Sequence, residues 1–122
     1  MQHYGAAAYQ TTAKTVESPR EREAALLIKA AASIQAARDN WLEDTEALIS
    51  ALTFNRKLWT IFMTSVTRED NALPAQARQN IANLGIYILN ETREILLDPI
   101  APARLDALIN INRQLAAGLR GS

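Results

Sequence analysis

Residues 51–59 read ALTFNRKLW and sit inside a long helical pattern. Leu48, Leu52, Asn55, Trp59, Phe62 and Val66 recur at alternating spacings of four and three. That spacing places all six on one stripe of a helix. The third member is an asparagine among apolar residues, and a polar side chain in an apolar seam costs stability unless it finds a partner. Asn55 therefore has two readings. It fixes helix register from within, as polar seam residues do in coiled coils, or it meets a backbone from another segment or another protein.

The device returns further along. Leu105, Leu108, Asn112, Leu115 and Leu119 form a second stripe with an Asn in its middle. Two such helices predict a bundle specified by a few internal hydrogen bonds.

Working outward, Ser18-Pro19-Arg20-Glu21 is a helix start. Ser18 can accept from the amide of Glu21, Glu21 can reach back to the amide of Ser18, and Pro19 suits the first helical position. The helix has a narrow, Ala-rich face of Ala24, Leu27, Ala31 and Ile34, with Ile28 beside it. Asp39-Asn40 is a break, and either residue can cap the following helix. That helix carries a further stripe of Phe54, Leu58, Ile61 and Ser65, so it is apolar on two sides. Pro74 pushes Leu73 out of helical geometry and opens the next helix. Its stripe is Ala77, Ile81, Leu84, Ile88 and Ile95, with Ile86, Tyr87 and Leu89 outside it. Pro99 and Pro102 end this helix, and the last one fades at Gly118, a C-cap candidate. No strand-like alternation competes. The expected architecture is all-α: one domain over residues 1–122, a small bundle of helices near 18–38, 41–67, 74–97 and 102–118. A further short helix within Met1–Thr15 is marginal on its own in water and either docks or moves.

Composition bounds the function. The 122 residues fit a single domain, and a hydrophobic content of 48% is ample for a core. Thirteen basic and thirteen acidic residues balance to zero net charge, which argues against an electrostatic grip on nucleic acid. There is no cysteine and a single histidine, His3, so thiolate sites and disulfides are excluded and a histidine-based metal site or triad is not expected. Apolar runs fall short of a membrane span, and no secretory pattern opens the chain, so the expected location is the cytoplasm. Glu21, Glu23, Glu43, Asp44 and Glu46 lie near helix starts, where the helix dipole alone favours acids. The Glu-x-x-His motif of di-iron bundles and the glycine-rich phosphate loop are both absent. No enzyme activity, cofactor or metal is expected.

What remains is apolar surface. Trp41, Phe54, Trp59, Phe62 and Tyr87 offer large contact areas, and Trp and Tyr dominate protein-binding hot spots. Two helices with more apolar faces than a small bundle buries suggest a groove for a partner helix. The candidate partner-binding residues are Phe54, Asn55, Leu58, Trp59, Tyr87 and Asn112.

Several strings resemble the FlaF family of flagellar biosynthesis regulators. They are Tyr4-Gly5 with Tyr9, Ser18-Pro19-Arg20-Glu21-x-Glu23-Ala24, and Ala51-Leu52-x-x-Asn55-x-x-Leu58-Trp59. Asn71-x-Leu73-Pro74 follows, then Ile111-Asn112-Arg113 with Gly118-Leu119. The order of the strings covers nearly the whole chain. The resemblance implies a cytoplasmic protein needed for flagellin production and secretion, a chaperone that binds the amphipathic terminal helices of flagellin, with FlbT as a further partner. The flagellin chaperone FliS is an analogy of function only. The competing readings are an RNA-binding regulator of flagellin message, against which the charge balance speaks, and a homo-oligomeric bundle without a client. The fold reading predicts a helical far-ultraviolet circular dichroism spectrum; a substantial sheet component overturns it.

Overall fold

The computed structural model describes residues 18–40, 42–98 and 102–121. They form four helices: α1 (Pro19–Asp39), α2 (Thr45–Val66), α3 (Ala75–Leu97) and α4 (Ala103–Arg120). No described residue is in a strand. The expected helix within Met1–Thr15, and Trp41, lie outside the described residues.

Local chemistry sets most of the ends. Ser18 caps α1, its Oγ accepting from the Glu21 amide at 3.1 Å with Pro19 in the first turn. The other half of the expected capping box is replaced, because the Glu21 carboxylate accepts from Arg120 Nε at 3.2 Å. Asn40 closes α1, its backbone amide donating to Ala37 O and its side chain to Ala36 O. The chain then makes one more turn, with the Glu43 and Asp44 amides both donating to Asn40 O. The N-cap of α2 is consequently Asp44, which accepts from the Ala47 amide at 3.0 Å, and neither Asp39 nor Asn40 caps it. Between α2 and α3, Asn71 Nδ2 donates to Ser65 O and Ser65 Oγ, while its Oδ1 accepts from the Leu73 amide. This folds the connection back onto the end of α2 and hands the chain to Pro74, the N-cap of α3. Gly118 does not end the last helix. It stays helical, α4 runs to Arg120, and Gly121 is the C-cap. No described glycine has positive φ, so the left-handed cap that would favour a stop at Gly118 is not used.

The helices form a ring in chain order, with antiparallel neighbours. Arg38 Nη2 donates to Asp106 at 3.1 Å at one end of the α1–α4 pair, and Arg120 meets Glu21 at the other. α1 packs most extensively against α4, α2 lies along both α3 and α1, and α3 meets α4 least. The long stripe of α2 is buried throughout: Leu48, Leu52, Asn55, Trp59, Phe62 and Val66. The narrow face of α1 and most of the α4 stripe are buried with it. Trp59 and Phe62 meet edge to face, centroids 5.8 Å apart. On α3, Gly85 and Thr92 join Ile81, Ile88 and Ile95 in the buried face. Thr92 satisfies its hydroxyl locally, donating to Ile88 O at 2.7 Å.

Gly85 permits the close approach of α2 and α3. A Cβ built there meets the thioether of Met63. In Gly85→Ala the flexible Met63 end must move, while the better helix propensity of Ala offsets the loss, so the melting temperature should change little. Gly85→Leu should overpack the junction and cost about 1–3 kcal/mol. Paired thermal denaturation curves check the contrast; equal melting temperatures for both variants overturn this packing account.

Candidate functional site

The centre of the bundle is polar. Asn55 and Asn112 are both fully buried. Asn112 Nδ2 donates to Asn55 Oδ1 at 2.7 Å and to the backbone carbonyl of Leu27 at 3.4 Å. Its Oδ1 accepts from Trp59 Nε1 at 2.9 Å. One amide thus ties α1, α2 and α4 together. The backbone contact expected of Asn55 is made by Asn112 instead. Asn55 uses its oxygen, and its Nδ2 has no partner among the described residues.

Four of the six sequence-selected residues lie inside. Asn55, Trp59 and Asn112 form this network, and Leu58 is buried. Phe54 is half-buried on the α1–α2 side, where Lys29 Nζ lies 5.7 Å from its ring centroid. Tyr87, on α3, is 43% exposed. The structure does not bring Phe54 and Tyr87 into one surface with the buried four.

The candidate surface is the seam between α3 and α4. Near their connection Arg104 binds Glu91 through two nitrogens, at 2.7 and 3.1 Å, and Glu94 at 2.8 Å. The hydrogen bond from Arg104 holds the Glu91 carboxyl below the usual range and raises the guanidinium above its own. This clamp fixes which faces confront each other. One and two turns back from Glu91 on α3 come Ile88, Tyr87 and Leu84; on from Arg104 on α4 come Leu108, Ile111 and Leu115. Leu84, Ile111 and Leu115 are half-buried against the core. With few contacts between the two helices, this apolar lip is only partly covered.

At its far end the seam runs into a cavity of about 20 Å³ contributed by all four helices, with Phe62, Val66, Leu73, Ile81, Leu115 and Leu119 as its apolar wall. Glu23, Ser65 and Asn71 complete it. The same Glu23, Ser65, Asn71, Leu73 and Leu119 wall a larger depression of about 420 Å³. Burial pushes the Glu23 carboxyl above its usual range, against the lowering influence of Arg20 and Arg22. Sequence reasoning placed Glu23 among helix-start acids, because the segments that enclose it come from distant parts of the chain. Leu84, Leu115 and Ile81 were legible as stripe members; which neighbour each would lack was not. Among the described residues no cluster of His, Cys, Asp and Glu could hold a metal ion, and no helix is long and apolar enough to cross a membrane.

A family model described as flagellar protein FlaF matches residues 5–119. No curated protein matches the chain, and no solved structure matches it.

The network predicts an order of stabilities. Asn112→Ala strands the Trp59 N–H and the Asn55 carbonyl in the core, at about 1–3 kcal/mol for each buried group left unsatisfied. Asn55→Ala leaves Asn112 its bonds to Leu27 and Trp59 and removes an unpartnered N–H, so it should cost less. Urea denaturation of both variants checks this; an Asn55→Ala loss equal to or above that of Asn112→Ala overturns it.

Proposed function

This chain belongs to the FlaF family of flagellar proteins, and from that premise we propose that it binds flagellin as a cytoplasmic secretion chaperone, promoting flagellin synthesis and filament assembly. The observation that carries the binding mode is the α3–α4 seam: two adjacent helices that present apolar residues to each other yet hardly meet. The terminal segments of flagellin are amphipathic helices that pack only in the filament. Before export their apolar faces would self-associate, and a helix-in-groove complex covers one of them. In this reading Tyr87 and Leu84 from α3, with Ile111 and Leu115 from α4, contact the client. Asn55, Trp59 and Asn112 act from inside by holding α1, α2 and α4 in register. FlbT is a second partner in the same pathway.

Co-purification with flagellin, followed by truncation of either flagellin terminus, tests the proposal. Tyr87→Glu should weaken the complex about tenfold or more, roughly 1.4 kcal/mol, while the melting temperature holds because Tyr87 is partly exposed. Moderate added salt should change affinity little, because the binding rests on buried apolar area. If the chain fails to bind flagellin and instead retains flagellin messenger RNA with steep salt dependence, the proposal is overturned in favour of an RNA-binding regulator.

A further inference from the structure

We propose that the segment 1–17, which precedes the described residues, folds back along α1 and packs into the groove between α1 and α2. The groove measures about 770 Å³, with Lys29, Ser33 and Ala36 on its α1 side and Ala47, Ser50 and Phe54 on its α2 side. Among the described residues none of α3 or α4 lines it, so this inference stands apart from the reading of the α3–α4 seam.

Both walls call for a cover. Between Ala24 and Ala37 the one charged residue of α1 is Lys29, and Leu26 and Ile28 are exposed on the side away from the core. A helix apolar around its whole circumference is normally covered on every side. On α2, Leu58 and Ile61 lie one and two turns on from Phe54 along the same face, and Ile61 is 63% exposed. The alanines and serines of the groove are short enough for a third helix to come close.

Reach, composition and tethering select the segment as the occupant. It joins α1 at Ser18, so its path is tied to the start of the α1 wall. Thirteen helical residues span ~20 Å, the distance along α1 from Ser18 to about Ser33. Tyr4, Ala6, Ala7, Ala8, Tyr9 and Val16 make the segment largely apolar or small, with Lys14 and Glu17 its charged residues besides His3. That composition matches a nearly chargeless groove with short side chains. A short flexible tether holds an occupant at an effective concentration on the order of millimolar, which a free partner must exceed. The match to the family model begins at residue 5, so most of the segment belongs to the same family domain as the groove. Docking supplies the packing that an isolated helix of this length lacks.

Disulfide trapping in the full chain tests the placement, because the sequence has no cysteine and engineered pairs report alone. Ala6→Cys, Ala7→Cys and Ala8→Cys are each combined with Ser33→Cys, with Ser50→Cys or with Asn110→Cys. Three consecutive positions step around a helix by ~100° each, so one of them faces the groove in any register. Asn110 is exposed on α4. The Arg38–Asp106 and Arg120–Glu21 pairs place it at about the height of Ser33, so a segment with no preferred face reaches both positions alike. The expected result is an intramolecular disulfide to Ser33→Cys or Ser50→Cys about tenfold faster than to Asn110→Cys for at least one alanine position. The preference should vanish in guanidinium chloride. Equal rates, or a faster link to Asn110→Cys, overturn the proposal. Disulfides between chains with a dimeric mass overturn it in favour of a second copy in the groove. So does a Ser33→Cys thiol that maleimide labels freely in the isolated chain and that flagellin protects, which assigns the groove to the client.

Discussion

The Asn112 amide is the constraint on which the rest of the bundle depends. A buried primary amide must place two N–H donors and a carbonyl, and leaving them unmade is costly in a low-dielectric core. Asn112 meets that demand with partners from two other helices: the Leu27 carbonyl of α1, and Asn55 and Trp59 of α2. Sliding any of these helices by one residue breaks at least one bond, whereas a core of Ala, Leu and Ile alone would accept several registers at similar energy. Among the described residues the arrangement is not fully satisfied, since Asn55 Nδ2 has no partner there. Specificity of register is obtained at some cost in stability, as with polar residues in coiled-coil seams.

The helix left out of this network is α3. It is held along α2 by apolar contact and by the close approach at Gly85, and to α4 by the Arg104 clamp near their connection. Arg78 Nη1 adds a bond from α3 to the Arg68 carbonyl in the α2–α3 connection. The division has a mechanical consequence. α1, α2 and α4 form a polar-locked unit, and the seam between α3 and α4 is closed at the clamp end and loosely covered elsewhere. A helix entering that seam need not disturb the amide network, because none of the network bonds involves α3.

What was legible in the sequence is what local spacing encodes. The stripes of α1, α2 and α4 predicted the buried faces almost residue for residue, and Ser18-Pro19 fixed the start of α1. Boundaries governed by competition between nearby caps were less legible. Asn40, Asp44 and Asp39 are all competent caps, and the turn at 40–44, closed by two amides on the Asn40 carbonyl, selects Asp44. Gly118 is compatible with both a helix interior and a stop, and α4 continues because its last turn still buries Leu119. The unusual status of Asn55 and Asn112 was readable from polarity alone. That they bond each other was not, since nothing in either stripe says which helices sit diagonally. The candidate surface was the least legible part. Tyr87 was selected for its chemistry, whereas Leu84, Leu115 and Glu23 acquire interest only from the spacing between helices, a property of the ring and not of any one segment.

A bundle with one loosely covered edge, if it receives a client helix as proposed, must reconcile two demands. A groove wide and apolar enough to bind is also a surface on which the protein can collapse or self-associate. Here Arg104 with Glu91 and Glu94 ties α3 to α4 at one end, and the other end opens on the cavity walled by Ile81 and Leu115. Between them the lip is built from side chains only half covered by their own fold.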